Sequence, residues 1–254
     1  MILGVVQARM GSSRLPAKVL ADLGGRPVVD RVLTRLGASH LIDEVVIATS
    51  TGAEDDALAE WADSHGYPVV RGDEFDVLDR FHSVLGEFPA AKHFVRVTGD
   101  CPLVDPRLVD EVIRLHLESD ADFSANRLPP PSRRTTPIGL DVEVARRDAL
   151  EAARQSADEP ADREHVMPFL YRVPGRFHVE IADMSEDLSH YRWTIDTPED
   201  LEAVRAIWAY LSGPHAGWEE VLAVVRAHPD IDLINAGVSQ KLLGAVDERW
   251  MRGD

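Results

Sequence analysis

The chain has 254 residues with 27 Lys and Arg against 44 Asp and Glu, which gives a formal net charge of −17. This length allows one large domain or a domain with a smaller lobe, and a hydrophobic content of 44% excludes wholesale disorder. The acidic balance argues against nucleic acid and anionic membranes as main partners, and the single cysteine, Cys101, excludes an intramolecular disulfide framework. No apolar run reaches the roughly 18 residues that a membrane helix needs. We therefore expect a soluble, cytoplasmic protein.

Strands and helices alternate along the first 126 residues. Short runs rich in β-branched residues predict buried strands, and apolar residues at helical spacing predict helices. The predicted strands are Ile2–Ala8, Glu44–Ser50, Tyr67–Arg71, His93–Thr98 and Asp122–Asn126, and the predicted helices begin at Pro27 and span Glu54–His65, Phe75–Phe88 and Pro106–Glu118. This alternation is typical of a parallel sheet with helices on both faces, which binds ligands beyond the carboxyl ends of its strands.

The alternation stops after residue 126. Arg127–Gly139 contains four prolines and three arginines but no acid, so it is predicted to be a loop. Beyond it the pattern predicts strands at Gly139–Ala145, Phe177–Ala182 and 193–196, and helices at Arg147–Ala157, Asp162–Tyr171 and from Pro198. We therefore predict a main domain of residues 1–126 plus 191–212, a smaller α+β lobe of residues 127–190, and a helical tail of residues 213–254.

A cationic loop follows the first predicted strand. It carries Arg9, Arg14 and Lys18, together with Ser13 and with Gly11, which lets backbone N–H groups approach an anion closely. Guanidinium groups pair with phosphate oxygens and an ammonium adds a point charge, so three cations suit a polyphosphate better than one carboxylate. The residues flanking Lys18 do not match a Walker A loop. A solvated basic face is the structural alternative.

The string from Gln7 to Lys18, QARMGSSRLPAK, resembles the triphosphate loop of the cytidylyltransferases that activate sugar acids, such as the CMP-3-deoxy-manno-octulosonate and CMP-sialate synthetases. The likeness is greatest to the spore-coat-polysaccharide branch of that family and spans roughly residues 2–210. Ala17 departs from the family's usual glycine, and Asp76-Val77-Leu78 stands where the octulosonate synthetases have Ser-Gly-Thr. Further motifs of the family follow in order: IATS (47–50), DVLDRF (76–81), RVTGDCP (96–102), GLDVE (139–143), DREHV (162–166) and WTIDTPEDL (193–201).

The resemblance implies a three-layer α/β/α nucleotidyltransferase with a smaller inserted α+β lobe, which transfers CMP from CTP to a sugar or sugar acid and releases pyrophosphate. It gives catalytic roles to Arg9, Lys18 and Asp100, and it implies Mg²⁺ as the cofactor, held by Asp100 and Asp196. The smaller lobe is implied to bind the acceptor and to form a homodimer. The implied nucleotide-binding residues are Ala8, Arg9, Ser13, Arg14, Lys18, Thr49, Asp76 and Arg80, and the implied acceptor-binding residues are Asp141, Glu143, Arg163, Glu164 and His165.

Structural alternatives remain for several of these residues. Asp100 could be a turn residue, Asp196 could stabilise the dipole of the following helix, Asp76 could cap a helix, and His165 could be a surface histidine. Arg127–Gly139 is predicted to be a mobile lid over the acceptor or else a connector without ligand contacts. The alternative functions are a glycosyltransferase of the nucleotide-sugar-binding type and a non-catalytic nucleotide-binding module.

Overall fold

The computed structural model describes residues 1–129 and 132–240. The strands are β1 (Ile2–Gln7), β2 (Asp22–Leu23), β3 (Arg26–Pro27), β4 (Glu44–Ser50), β5 (Val69–Gly72), β6 (His93–Thr98), β7 (Phe123–Ala125), β8 (Glu143–Arg146) and β9 (Val179–Ile181). The helices are α1 (Val28–Leu36), α2 (Asp56–Ser64), α3 (Val77–Glu87), α4 (Pro106–Glu118), α5 (Arg147–Ser156), α6 (Pro160–His165), α7 (Pro168–Tyr171), α8 (Pro198–Tyr210), α9 (Trp218–Ala227) and α10 (Pro229–Ile234). The helices that the structure describes are all too short or too polar to span a bilayer.

Seven strands form one sheet in the order β5-β4-β1-β6-β8-β7-β9. β1, β4, β5 and β6 are mutually parallel, which confirms the prediction for the first four strands of the alternating segment. Gln7 at the end of β1 lies opposite both Ala48 on β4 and Thr98 on β6. The loops that follow these three strands therefore meet at one edge of the sheet.

The sheet is covered on both faces, as the sequence predicts. Apolar side chains of α1, α2 and α4 pack with Val6, Ile47 and Val95 on one face. The other face buries Leu3 and Phe94 against α3, α5 and α7. Because strand residues alternate between the two faces, both faces of each central strand are buried, and this explains the continuous apolar runs in the sequence.

The predicted smaller lobe contributes its strands to the main sheet. β8 pairs antiparallel with β6 and with β7, and β9 pairs parallel with β7. Residues 127–190 thus extend the sheet at one side, and their helices α5 and α7 share the core with α3. The first strand of this segment is also shorter than predicted: β8 spans Glu143–Arg146, whereas the sequence predicts a strand over Gly139–Ala145. The homodimer through this segment stays a prediction.

Two other predicted elements are wrong. Residues 193–196 are irregular and do not form a strand of the sheet. Trp193 and Ile195 are apolar because they belong to a third core, under α8, α9 and α10. The helix predicted over Asp162–Tyr171 is broken after α6, where Val166 has a φ of 69° and the N–H of Met167 bonds to the carbonyl of His165 at 2.8 Å. The following proline, at the start of α7, cannot continue the α6 hydrogen bonds.

The segment predicted to be a mobile lid is anchored at its second half. Thr135 and Thr136 are completely buried, and the Thr136 hydroxyl donates to the carbonyl of Asn126 at 2.9 Å. The Arg134 guanidinium donates to the carbonyls of Thr136 and Pro137 and pairs with Asp141. Residues 134–136 are therefore part of the packed structure, and the lid over the acceptor stays a prediction.

After α8 the chain forms α9 and α10, and residues 241–254 of the predicted helical tail lie outside the described residues. The sequence also predicted the start of α8: Thr197 and Asp200 form a reciprocal capping box, with Pro198 as the first helical residue.

Candidate active site

The cationic loop lies where the parallel sheet predicts a ligand site. The N–H of Ala8 bonds to the carbonyl of Ala48 at 3.1 Å, and the N–H of Ala17 closes the loop onto the carbonyl of Met10 at 3.0 Å. Ala17 has a left-handed backbone with a φ of 57°, a conformation in which a Cβ is unfavourable. This explains why a glycine suits this position. A short 3₁₀ helix, Lys18–Leu20, follows and fixes the backbone of Lys18.

Lys18 joins the two carboxylates that the resemblance assigns to metal binding. Its Nζ lies 2.6 Å from Asp100 Oδ2 and 2.7 Å from Asp196 Oδ1. Burial lowers the pKa of the Lys18 ammonium, but the two carboxylates outweigh it, so that its pKa is raised above the ordinary value. Asp100 and Asp196 are 96 residues apart in sequence, so the fold has brought them to one point at the edge of the sheet.

Asp196 receives two further cations. Arg14 and Arg192 each place a guanidinium nitrogen 2.9 Å from its Oδ2. Burial raises the pKa of Asp196, but Lys18, Arg14 and Arg192 more than compensate and lower it. A different kind of group orients Asp100: the Thr98 hydroxyl donates to its Oδ1 at 2.6 Å. Both carboxylates are therefore held with one oxygen directed at the Lys18 ammonium.

This arrangement fits a magnesium ion. Mg²⁺ is bound in nucleotide-dependent enzymes by one or two carboxylates, with phosphate oxygens and water completing the shell. Within residues 1–129 and 132–240, no group of three or more His, Cys, Asp or Glu side chains could hold a metal by itself. The ammonium of Lys18 shows that Asp100 and Asp196 converge on one cation-sized position. The donor set suits a metal that arrives with a phosphate ligand.

A cavity of about 90 Å³ lies beside the cationic loop. It brings Arg9, from the predicted nucleotide set, together with Glu164 and His165, from the predicted acceptor set. Arg9 also pairs with Glu74 at 3.5 Å. The nucleotide and acceptor predictions therefore converge on one recess. It is lined by Gln7, Arg9, Glu74, Phe75, Val77, Arg80, Glu164 and His165.

Comparison with known proteins agrees with this geometry. A family model described as cytidylyltransferase matches residues 3–230. The spore coat polysaccharide biosynthesis protein SpsF of Bacillus subtilis is 34% identical over 237 residues, which cover 90% of this chain and 95% of SpsF. A 3-deoxy-manno-octulosonate cytidylyltransferase of Anaeromyxobacter dehalogenans is 29% identical over 238 residues, covering 81% of this chain and 96% of that enzyme. The chain belongs to the cytidylyltransferase family.

The resemblance predicted from the sequence is thus confirmed, and the protein is a nucleotidyltransferase. Its three-layer fold also matches a solved structure of a cytidylyltransferase from Leptospira borgpetersenii, with a TM-score of 0.86 at 29% identity, covering 94% of this chain and 98% of that one. The roles of individual residues stay predictions, and the structure shows where each of them lies.

Of two residues predicted at the nucleotide, Arg80 lines the cavity and Asp76 lies between two residues that line it, Phe75 and Val77. Arg80 is buried and donates to the carbonyls of Asp73 and Glu74 at 2.5 to 2.9 Å, so it holds the loop before α3. Burial, and then the nearby Arg9 guanidinium, lower the pKa of Arg80 to about 10. Asp76 caps α3 by accepting from the N–H of Asp79 at 3.0 Å, which is the structural alternative that the sequence left open.

The other predicted nucleotide residues lie around the cationic loop. Thr49 and Ala8 are buried beneath it, at the ends of β4 and β1, whereas Ser13 is exposed on it. Thr49 is completely buried, and among the described residues its hydroxyl has no hydrogen-bond partner.

The predicted acceptor residues form two groups. Arg163 pairs with Asp76 through its Nε at 2.8 Å, beside the cavity that Glu164 and His165 line. Asp141 and Glu143 instead lie in a ladder of ion pairs with Arg96, Arg127 and Arg134. The Arg96 Nε also donates to Gln7 Oε1 at 2.9 Å, and Gln7 lines the cavity, so the two groups adjoin.

Asp55 is a site residue that sequence reasoning missed. It is completely buried, and its carboxylate accepts from the N–H of Met10 at 2.6 Å, from the N–H of Ser50 at 3.2 Å, and from the Ser50 hydroxyl. It therefore ties the cationic loop to the end of β4. The acidic run Glu54-Asp55-Asp56 is typical of a helix start and gives no signal for this longer contact.

We expect Asp55→Ala to lower the free energy of unfolding by about 2 to 4 kcal/mol, because it leaves buried N–H groups without acceptors. The loosened loop should also bind CTP more weakly. Urea unfolding and calorimetric titration with CTP measure the two effects. Asp56→Ala is the matched control, since Asp56 is exposed and makes a surface ion pair with Arg71 at 2.7 Å; it should change stability by less than about 1 kcal/mol. Equal effects of the two substitutions would refute the role of Asp55.

Proposed function

We propose that this cytidylyltransferase transfers CMP from CTP to a hydroxyl group of a sugar or sugar acid, with release of pyrophosphate, and that the reaction depends on Mg²⁺. The observation that supports this most strongly is the convergence of Lys18 and Arg14, from the cationic loop, on Asp100 and Asp196 at the sheet edge. The two relatives that are named for polysaccharide biosynthesis and for an octulosonate substrate support an acceptor of the sugar type.

The cationic loop would receive the triphosphate. Arg9, Arg14 and Lys18 come from one loop of ten residues, so a chain of phosphates can contact all three. Charge that moves onto the leaving pyrophosphate would be stabilised by these fixed cations, and such electrostatic stabilisation is usually the largest catalytic contribution. Positioning for in-line attack on the α-phosphorus would supply much of the remaining rate.

Asp100 and Asp196 would hold the magnesium ion, which when bound supplies Lewis-acid stabilisation of the phosphate charge. Thr98 keeps Asp100 in place through its hydrogen bond, and Arg192 does the same for Asp196. The protein thus fixes the orientation of both carboxylates before the nucleotide arrives.

The acceptor would bind on the side of β8. Here the three guanidinium groups of Arg96, Arg127 and Arg134 share the two carboxylates of Asp141 and Glu143. One positive charge is left over, and this favours an acceptor that itself carries a carboxylate. We therefore expect a sugar acid to be a better substrate than a neutral sugar of the same size.

A panel of four nucleoside triphosphates against sugar acids and matched neutral sugars tests this proposal. Pyrophosphate release and the mass of the product are both recorded, with acceptor-free reactions as the control for hydrolysis. We expect a CMP-linked product from CTP but not from the other three triphosphates, formed faster with a sugar acid than with the matched neutral sugar. Equal rates with all four triphosphates would refute the choice of CTP. Transfer of a sugar from a nucleotide-sugar, without pyrophosphate release, would show a glycosyltransferase instead.

A further inference from the structure

Lys18 occupies an unusual position for a residue predicted to bind phosphate. Its ammonium donates to both carboxylates of the candidate metal site, at 2.6 and 2.7 Å, and the side chain is almost completely buried. Magnesium–oxygen bonds are about 2.0 to 2.1 Å long. An ammonium and a magnesium ion therefore cannot use the same two carboxylate oxygens at the same time.

We propose that Lys18 is an exchangeable internal cation, which holds the position between Asp100 and Asp196 and moves to the nucleotide phosphates when a divalent cation takes these oxygens. The inference rests on the proposed function, because it assumes that the two aspartates are the metal ligands. It adds that the free enzyme carries its own competitor for the metal, and that the competitor becomes a phosphate ligand once displaced.

The surrounding contacts make Lys18 the cation that can leave. Arg192 is fixed by a two-pronged ion pair with the buried Asp200, at 2.8 and 2.9 Å. Arg14 pairs with Oδ2 of Asp196 and donates to the carbonyl of Ser239 at 3.2 Å, and its described contacts do not include Asp100. Among the described residues, Lys18 alone spans both carboxylates, and it does so through a flexible four-carbon stem whose compact ammonium can change partners.

The destination of the ammonium is also set by the fold. The Lys18 backbone is held by the 3₁₀ turn in which the N–H of Ala21 bonds to its carbonyl at 3.1 Å. A change of side-chain rotamer would therefore move Nζ while the loop keeps its shape. Because Lys18 ends the same loop that carries Arg9 and Arg14, a triphosphate on this loop lies within its reach. Metal and nucleotide would then favour each other's binding, as linkage requires.

The test measures metal binding without nucleotide, by titrating Mn²⁺ and recording the free ion by electron paramagnetic resonance. Removing the internal competitor with Lys18→Met should tighten Mn²⁺ binding by about tenfold or more relative to the natural chain. Mn²⁺ should also raise the melting temperature of Lys18→Met more than that of the natural chain, because a ligand stabilises the state that it binds. Lys18→Gln serves as the second variant if Lys18→Met does not fold.

Arg14→Met is the matched control, because it also removes one positive charge from Asp196 but leaves the bridge intact. It should tighten Mn²⁺ binding by less than about threefold. Equal gains in the two variants would overturn the proposal, since Lys18 would then act as any neighbouring cation does. Unchanged or weaker Mn²⁺ binding to Lys18→Met would overturn it as well.

A double variant, Lys18→Met with Asp100→Asn, separates this inference from the proposed function. It should lose the tightened Mn²⁺ site if Asp100 is a ligand. If tight binding persists in the double variant, the metal assignment itself fails. If the double variant loses the site but Lys18→Met is no tighter than the natural chain, only the exchange fails.

Discussion

Asp100→Asn is expected to reduce the turnover number for CMP transfer by roughly 10² to 10³-fold, which corresponds to the loss of several kcal/mol of transition-state stabilisation at a metal site. Asparagine removes one of the two carboxylate charges that face the candidate cation position. It keeps Oδ1, which accepts the hydrogen bond from Thr98, and it suits a turn. The fold should therefore survive, with Lys18 still paired to Asp196.

The measurement is pyrophosphate release at saturating CTP and at a magnesium concentration on the order of 1 mM, with circular dichroism as the check on folding. Asp43→Asn is the control. Asp43 accepts from the N–H of Ile2 at 2.6 Å, at the start of β1 and so at the opposite end of the sheet. It should leave the turnover number unchanged. Near-normal turnover of folded Asp100→Asn would show that Asp100 is only a turn residue.

The central strands could be predicted because their signal is local. β4, β6 and α4 have the bounds that the sequence predicts, since buried β-branched runs and a Pro-led amphipathic segment leave few alternatives. The pairing of strands is not local. Nothing in the sequence near β8 shows that it inserts between β6 and β7, so the sequence predicts an inserted α+β lobe over residues 127–190 but not the sheet positions of its strands.

Two short elements show other limits of sequence reasoning. The β2–β3 hairpin was missed because its strands have two residues each, although Gly24-Gly25 between them, with φ values of 62° and 82°, is a typical hairpin turn. The apolar alternation around Trp193 predicted a strand, but the alternation arises from packing under the C-terminal helices. A buried pattern therefore does not reveal which partner covers it.

The candidate site, like the fold, has some features that the sequence predicts and others that it does not. The cationic loop and the two aspartates could be predicted, since they follow strands that share one sheet edge and match a known motif. Their mutual arrangement could not. Three sets of contacts join residues that lie in separate elements or loops. They are the ion pairs of Lys18 with both aspartates, the hydrogen bonds of Asp55 with Met10 and Ser50, and the ion pairs of Arg192 with Asp196 and Asp200. In the sequence, Arg192 is one of many arginines in the chain and lies outside the family motif that begins at Trp193.

Arg192→Met is expected to lower the free energy of unfolding by about 3 to 5 kcal/mol at neutral pH, the range found when one partner of a buried ion pair is removed. Arg192 is the cation that neutralises Asp200, whose carboxylate is completely buried under the start of α8. The substitution also removes a donor from Asp196, so CTP-dependent turnover should fall with stability.

The effect of Arg192→Met on the free energy of unfolding should depend on pH, because Arg192 pairs with a titratable group, Asp200. Burial raises the pKa of Asp200, but hydrogen bonds from Arg192 and Asn235 outweigh it and lower the pKa below its ordinary value. A depressed carboxyl pKa stabilises the folded state above the pKa of the unfolded chain, about 3.9, and this stability is lost as the pH falls through the lower pKa of the folded state. The difference between the natural chain and Arg192→Met should therefore be largest near pH 7 and shrink below about pH 4.

Urea unfolding at a series of pH values measures this difference, and two other substitutions define its cause. Arg192→Lys keeps the charge but not the two-pronged contact, so it should lie between the natural chain and Arg192→Met. Arg205→Met, on the exposed face of α8, removes bonds to the carbonyl of Asp22 and should change stability by less than about 1 kcal/mol. If Arg192→Met lowers the free energy of unfolding by the same amount at pH 7 and below pH 4, Arg192 stabilises the fold by packing of its side chain and not through the charge of Asp200.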